Sequence, residues 1–320
     1  MHCPPPLPRR VLHTAPFVLL AASLCLSPAL AQSDPVEEQP AEPYRVTVAL
    51  ALVQVTVRDA DGNFVKGLKK KDFQLLENGL PQELVLFSEE PDAPIRVAFL
   101  LDLSGSMVFQ NHLALARSGI RYFLDRLGPH DEAALLGFAD GEVEVLAGFT
   151  SDKTILRDAL LSRKAYGQTA LLDAVARAPG MVPRHGNARR AIILFSDGVD
   201  NISRLAPGEA VSIARRTEVP VYSVGFLDEV ERRRAQVGGE ALRRFSSETG
   251  GQVFLADDAY GVNKASRAVV DELKHTYVLG YYPSLAGKTH VLDLQASCQG
   301  CVATSRRGLY ATPAEGPSVE

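Results

Sequence analysis

The sequence predicts an α/β fold in which a mostly parallel sheet, with helices on both faces, is inserted into a small β module. Between residues 93 and 275, short apolar segments alternate with amphipathic ones, as expected when helices connect parallel strands. Residues 44–92 and 276–311 carry strand patterns instead. The chain has 320 residues, 46% of them hydrophobic, which supports a sizeable core. Its net charge of −4 gives no electrostatic case for nucleic-acid binding.

The first 31 residues are expected to form a signal peptide. Two arginines precede an apolar run over residues 11–26, and residues 29–31 (Ala-Leu-Ala) resemble a cleavage site. A membrane anchor is the alternative, but the run is short for a spanning helix. The leucine before Cys25 is too large for a lipoprotein cleavage site. We therefore expect an exported protein, periplasmic or secreted, with no stable membrane anchor after cleavage and a flexible acidic linker at residues 32–43.

Residues 44–92 are expected to form a β unit of three or four strands. Residues 44–59 alternate in polarity, but the apolar phase changes after Leu52, which predicts a bulge. Residues 73–76 and 84–87 are expected to pair as a hairpin around an Asn-Gly turn. A unit of this size is too small to be stable alone, so it needs strands from elsewhere in the chain.

The remaining segments extend this layout to the end of the chain. Strands of the central domain are predicted at residues 97–101, 132–138, 143–149, 190–196, 219–226 and 251–256. Helices are predicted at residues 113–127, 151–162, 207–217, 229–250 and 258–275, with another beginning near Thr169. Strands at residues 277–282, 291–295 and 302–310 are expected to join the N-terminal β unit, and residues 312–320 to form a disordered tail.

Oxygen-bearing side chains follow two of the predicted strands. Asp102, Ser104 and Ser106 come directly after the first strand of the central domain, Asp197 follows the 190–196 strand, and Thr169 precedes a helical segment. Ligands of open α/β sheets bind outside the carboxyl ends of the strands. Carboxylate and hydroxyl oxygens are ligands that hard cations such as Mg²⁺ prefer. The alternative is that Asp102 and Ser104 only cap the next helix.

The combination D-x-S-x-S, G-x-T-A-L and S-D-G resembles the metal-ion-dependent adhesion site of von Willebrand factor type A domains. The resemblance implies a Rossmann-like domain with bound Mg²⁺ or Mn²⁺. Ser104, Ser106 and Thr169 match the hydroxyl ligands of that family. Asp102 and Asp197 match its acidic positions, which often act through water. The family's metal keeps a coordination position for a carboxylate of the partner.

The flanks are similar to those of a bacterial subgroup of von Willebrand factor A related proteins. The resembling segments are V-T-V-R-D at 55–59, E-N-G at 77–79, Y-V-L-G-Y at 277–281 and R-R-G-L-Y at 306–310. The resemblance implies that both flanks join into one β-sandwich-like module. It says more about architecture than about function.

We expect a non-enzymatic binding module whose metal binds an Asp or Glu of a protein partner. A serine hydrolase is disfavoured because the strand-to-helix motif G-x-S-x-G is missing around Ser104 and Ser106. A metal-dependent hydrolase of the phosphoesterase kind is the best enzymatic alternative, although it would usually need more carboxylates or histidines. A third possibility is a metal-free scaffold.

The pair Cys298 and Cys301 forms a C-x-x-C motif with three interpretations. A redox motif would open a helix after a strand, whereas this pair lies between two strand patterns. Half of a zinc site would need a second pair of ligands. A local disulfide in an oxidising compartment is the interpretation we favour.

Overall fold

The computed structural model describes residues 50–89, 93–185, 188–226, 232–283, 289–297, 302–305 and 308–311. The predicted signal peptide and linker lie outside the described residues. The same holds for the Cys298–Cys301 pair and the predicted tail at residues 312–320.

The described residues form fourteen strands. They are β1 Ala51–Arg58, β2 Phe73–Glu77, β3 Leu80–Gln82, β4 Leu84–Ser88, β5 Ile95–Asp102, β6 Glu132–Ala139, β7 Glu142–Thr150, β8 Arg189–Ser196, β9 Val221–Phe226, β10 Val253–Ala256, β11 Thr276–Tyr281, β12 Thr289–Ala296, β13 Val302–Ser305 and β14 Gly308–Ala311.

Six α-helices belong to the central domain. They are α1 His112–Leu124, α2 Lys153–Ser162, α3 Leu171–Arg177, α4 Pro207–Arg216, α5 Arg232–Thr249 and α6 Ala259–Lys274. Short 3₁₀ segments occur at Lys70–Asp72, Gly105–Asn111 and Ala178–Met181.

The central sheet has the strand order β10-β9-β8-β5-β6-β7, with β7 as the antiparallel edge strand. The other neighbouring strands run parallel. Alternate residues of β5 enter two separate cores. Val97, Phe99 and Leu101 pack with α1, α2 and α6, whereas Ala98 and Leu100 pack with α3, α4 and α5. The predicted α/β class, with helices on both faces of a mostly parallel sheet, is therefore confirmed.

The flanks form two four-stranded sheets, ordered β13-β1-β11-β4 and β14-β12-β2-β3. Each sheet contains strands from before and after the central domain. Their facing side chains share one core, which contains Val53, Val55, Phe73, Leu75, Tyr277, Leu279 and Leu292 among others. A β module interrupted by the central domain is the arrangement that the fold class predicted.

The predicted bulge after Leu52 is wrong. β1 pairs with β11 in an unbroken register from Ala51–Tyr281 to Thr56–Thr276. Leu52 lies opposite Gly280, where an added Cβ would overlap the Leu86 side chain of β4 at 2.8 Å but make only an ordinary contact with Leu52. Apolar residues on both faces of β1 therefore reflect coverage of both faces rather than a change of register.

The predicted hairpin is wrong in its second strand. β2 turns at Asn78-Gly79, where both residues have positive φ angles, and pairs with β3, so that Leu80 lies opposite Glu77. The next strand, β4, pairs with β11 in the other sheet. The tight turn makes the residues directly after it, in β3, the partner of β2. Leu84–Ser88 therefore does not pair with β2 and joins the other sheet.

The single strand predicted at residues 302–310 is two strands. β13 pairs with β1 in one sheet, and β14 pairs with β12 in the other. The C-terminal segment thus contributes an edge strand to each sheet of the module.

Candidate metal centre

Asp102 is the last residue of β5, and its side chain is completely buried. One carboxylate oxygen, Oδ1, accepts a hydrogen bond from the Ser104 N–H at 2.9 Å. The other, Oδ2, accepts one from the Ser196 hydroxyl at 2.7 Å. Because β5 and β8 are adjacent and parallel, Ser196 at the end of β8 lies beside Asp102. Both oxygens are thereby fixed by groups of the two central strands.

The two serines lie next to each other at the start of the turn that follows β5. The Oγ atoms of Ser104 and Ser106 are 3.0 Å apart. Ser104 is buried and makes no side-chain capping bond to the 3₁₀ segment that follows it. The helix α1 begins only at His112, so neither Asp102 nor Ser104 caps it. The capping alternative therefore does not account for these residues.

Thr169 is buried in the loop before α3, and backbone contacts tie this loop to both strand ends. The Thr169 N–H donates to Asn201 Oδ1 at 2.8 Å, and the Thr169 carbonyl accepts from the Asn201 N–H at 3.0 Å. Nearby, the Gly105 N–H donates to the Gly167 carbonyl at 3.0 Å. The loop of Thr169 is thus bonded to the turn of the two serines and to the loop that follows Asp197.

Asp197 follows β8 and is half-buried. Its Oδ1 accepts a hydrogen bond from the Val199 N–H at 3.0 Å. Burial, and then repulsion from Asp197, raises the pKa of Asp102 to about 7, although hydrogen bonds from Ser104 and Ser196 oppose this shift. No lysine or arginine of the described residues contributes to the shift. At Asp102 the neighbouring carboxylate therefore adds to the effect of burial, and no basic side chain in the described part of the chain opposes it.

This donor set fits a hard divalent cation. The two carboxylates supply negative charge, and the hydroxyls of Ser104, Ser106 and Thr169 supply neutral oxygen ligands, which suit Mg²⁺ and Mn²⁺. A cation would also relieve the repulsion between Asp102 and Asp197. Within the described parts of the chain, no cluster of three or more His, Cys, Asp or Glu side chains is placed to hold a metal.

Several residues that support the site were not predicted from the sequence. Ser196 bonds Asp102, as described above, and also accepts a hydrogen bond from the Gly198 N–H at 2.9 Å. Asp140 binds the loop before Thr169, because its carboxylate accepts from the Gln168 N–H at 2.7 Å. The contacts of Ser196 with Asp102 and of Asp140 with Gln168 join residues that are distant in the chain, so no local sequence spacing predicts them.

Asp200 and Asn201, which follow Asp197 closely in the sequence, act on two different elements. Asn201 fixes Thr169, and Asp200 accepts a hydrogen bond from the Leu172 N–H in the first turn of α3 at 3.2 Å. One therefore supports the ligand loop, and the other caps the next helix.

The helix α5 approaches the site through Gly238. A Cβ at Gly238 would overlap the carbonyl oxygen of Asp197, and one at Gly198 would overlap the backbone of Gly238. The backbones of α5 and of the loop after β8 can therefore come this close only because both facing residues, Gly238 and Gly198, are glycines. The helix backbone therefore limits where the loop of Asp197 can lie.

The match to a known family covers this site. Residues 97–199 match the von Willebrand factor type A domain. That segment runs from β5 to the loop after β8 and contains all five predicted ligands. No curated protein matches the chain significantly.

Solved structures of other proteins are similar to this chain in fold. Proximal thread matrix protein 1 from the mussel byssus has a TM-score of 0.50 at 20% identity, over 62% of this chain and 51% of that chain. A second structure of that protein, with a zinc-occupied MIDAS motif, has a TM-score of 0.49 at 22% identity, over 62% and 49%. BatB from Bacteroides thetaiotaomicron has a TM-score of 0.47 at 20% identity, over 56% and 99%. At these identities the likeness concerns the fold alone.

Proposed function

We propose that this chain is an exported binding module of the bacterial type A subgroup. Asp102, Ser104, Ser106, Thr169 and Asp197 hold Mg²⁺ or Mn²⁺, and the metal offers a coordination position to an Asp or Glu of a protein partner. The observation that carries the proposal is that the three segments bearing these oxygen donors are bonded to one another at the carboxyl edge of the central sheet, as Gly105 is to Gly167 and Ser196 is to Asp102.

The charge of the donor set favours binding over hydrolysis. Three of the five proposed ligands are neutral hydroxyls, so the donor set passes little negative charge to the metal. The bound metal would therefore stay electrophilic and accept a further anionic ligand, such as a carboxylate. A metal-dependent phosphoesterase usually places more carboxylates or histidines around its metal. The residues that support this site are instead a hydroxyl at Ser196 and an amide at Asn201.

The exported location is supported by the sequence of residues 1–31. In the part of the chain that the structure describes, no helix combines the length and apolar character needed to cross a membrane.

Calorimetric titration of Mg²⁺ and Mn²⁺ into the metal-stripped protein tests the proposal. Wild-type protein should bind one ion per chain saturably. Asp102→Ala should weaken binding at least about 100-fold, because even loss of a group that only supports a ligand weakens binding by about 10- to 100-fold. Asp152→Ala is the matched control, because this carboxylate caps α2 by accepting from the Thr154 N–H at 2.8 Å. It should bind the ion as wild type does.

Two results would contradict the proposal. The absence of saturable binding by wild-type protein would remove the metal site. Metal-dependent turnover of p-nitrophenyl phosphate that disappears in Asp197→Ala would favour the hydrolase instead.

A further inference from the structure

Large apolar side chains are exposed on two segments that carry the candidate ligands. Val108 and Phe109 follow Ser106 on the same 3₁₀ segment and are 64% and 63% exposed. Tyr166 is 50% exposed. Its N–H donates to the Leu103 carbonyl at 2.6 Å, so it lies beside the turn between Asp102 and Ser104.

The helix α5 adds an exposed apolar residue on the side of Asp197. Val237 is 65% exposed and precedes Gly238, whose backbone contacts Asp197 and Gly198. We call Val108, Phe109, Tyr166 and Val237 the apolar rim. Its members come from three separate segments, and each segment directly contacts or contains a candidate ligand.

The backbone holds part of this rim away from the core. Met107 is fully buried, whereas the next two residues are exposed. Gln110 and Asn111 then adopt left-handed conformations, with φ angles of 49° and 59°, before α1 begins. Two successive left-handed residues other than glycine are energetically unfavourable. The fold maintains this conformation beside the site, where it separates Val108 and Phe109 from the regular helix.

We propose that the apolar rim and the metal form one docking surface for a protein loop whose Asp or Glu is flanked by apolar side chains. The proposal rests on the proposed function, since the metal binds the carboxylate. The chemistry of the two parts is complementary to such a loop. The metal binds the carboxylate of the loop, and the apolar rim packs against the apolar side chains on either side of that carboxylate. A loop with charged neighbours would have to desolvate them against the rim, which is unfavourable.

Exposed apolar groups clustered at one place on a surface mark binding sites more often than scattered ones do. Burial of one large side chain at an interface changes affinity by about tenfold or more. The rim should therefore decide which acidic loops bind, while the metal decides that a carboxylate is needed.

Peptide binding in saturating Mg²⁺ tests the docking surface. The probes are acetyl-Leu-Phe-Asp-Leu-Gly-amide, acetyl-Gly-Gly-Asp-Gly-Gly-amide and a version of the first with Asn in place of Asp. The first peptide should bind at least about tenfold more tightly than the second. Phe109→Ser and Tyr166→Ser should each reduce this preference by about the same factor. Leu80→Ser is the matched control, because Leu80 is 66% exposed but lies on β3 in the β module.

The Mg²⁺ affinity of each protein is measured in parallel, so that the two proposals fail separately. Equal, Mg²⁺-dependent binding of both acidic peptides would overturn the role of the rim and leave the metal-dependent function standing. The docking surface as a whole is overturned if neither peptide binds Mg²⁺-loaded protein, or if the Asn peptide binds as tightly as the Asp peptide, because the metal would then have no part in peptide binding. A wild-type protein that binds no Mg²⁺ would overturn the proposed function itself, and the docking surface with it.

Discussion

A buried acidic side chain lies at each edge of the central sheet, and the charges beside the two are opposite in sign. At the amino edge, Glu272 accepts hydrogen bonds from the Tyr222 hydroxyl at 3.0 Å and the Gln252 amide at 2.9 Å, and it pairs with Arg58 at 3.5 Å. At the carboxyl edge, the buried Asp102 is bonded by a hydroxyl and a backbone N–H, and the neighbouring charge is that of Asp197.

The difference lies in the neighbouring charge. Burial raises the pKa of both Glu272 and Asp102. The hydrogen bond from Tyr222 and the charge of Arg58 oppose the shift at Glu272, whereas Asp197 adds to it at Asp102. The amino edge therefore balances its buried acid with groups of the chain. At the carboxyl edge, the cation of the proposed function would supply the balancing charge.

Among the substitutions that test this contrast, Asp102→Asn should have the largest effect. The amide can still bond Ser104 and Ser196, because the Ser196 hydroxyl can rotate to accept. Removing the buried charge should stabilise the metal-free protein at pH 8 by about 4 kcal/mol and weaken Mg²⁺ binding at least about 100-fold. Urea unfolding with and without Mg²⁺ measures the stability, and calorimetry measures the affinity.

Glu272→Gln is the matched change at the amino edge. Mg²⁺ affinity should stay within about twofold of wild type, and stability should change by about 1 kcal/mol or less, because Arg58 is partly exposed and the pair is screened by solvent. The contrast between the edges would be wrong if Glu272→Gln lost the metal or if Asp102→Asn destabilised the metal-free protein.

The pH dependence of stability should follow the same contrast. A folded-state pKa that is raised means that the folded protein binds more protons, so stability is lost as pH rises through that pKa. For Asp102 the loss should extend from about pH 4 to about pH 7. It is isolated as the difference between wild type and Asp102→Asn in metal-free urea unfolding at pH 5 and pH 8.

Stability is also compared at pH 5 and pH 8 in saturating Mg²⁺. The loss of stability that Asp102 causes should then disappear, because the metal holds the Asp102 carboxylate ionised at both pH values. The part caused by Glu272 should remain, and it should disappear only in Glu272→Gln. A metal-free difference between wild type and Asp102→Asn that is the same at pH 5 and pH 8 would show that Asp102 does not titrate in this range.

The sequence predicted which residues meet at the carboxyl edge of the central sheet. It did not predict which strands pair with one another in the β module. Asp102 and Asp197 could be placed together because neighbouring parallel strands end at one edge of a sheet. The partners of β4, β13 and β14 could not be predicted. An alternating pattern shows which face of a short strand is buried, but not which of two sheets it joins. Ser196 and Gly238 were missed because each supports the site through contact with a segment that is distant in the chain.

Gly238→Ala tests how strongly the carboxyl edge depends on its surroundings. The added methyl group overlaps the Asp197 carbonyl, so α5 or the ligand loop must move. We expect a loss of about 1–3 kcal/mol in stability and a loss of about tenfold in Mg²⁺ affinity. Gly239→Ala is the control from the same helix, because its nearest atom, on the Arg243 side chain, is 3.5 Å away.

The Gly239→Ala protein should bind Mg²⁺ as wild type does and gain about 0.5–1 kcal/mol in stability, since alanine is the better helix residue. If both variants bind Mg²⁺ with unchanged affinity, α5 does not position Asp197.

Asn201→Ala should have the smallest effect, because it removes one bond from a loop that others also hold. The Thr169 N–H loses its acceptor at a cost of about 1 kcal/mol. The Thr169 carbonyl keeps its bond to the backbone of residue 201, so Mg²⁺ affinity should fall by only about two- to fivefold. Ser203→Ala, in the same loop as Asn201, is the control. The Ser203 hydroxyl donates to Asp200 and accepts from the Asp173 N–H of α3, and neither bond involves Thr169. Both variants should lose similar stability, and only Asn201→Ala should lose affinity. Equal losses of affinity in calorimetry would mean that the general stability of this loop, rather than the position of Thr169, sets the strength of metal binding at the carboxyl edge.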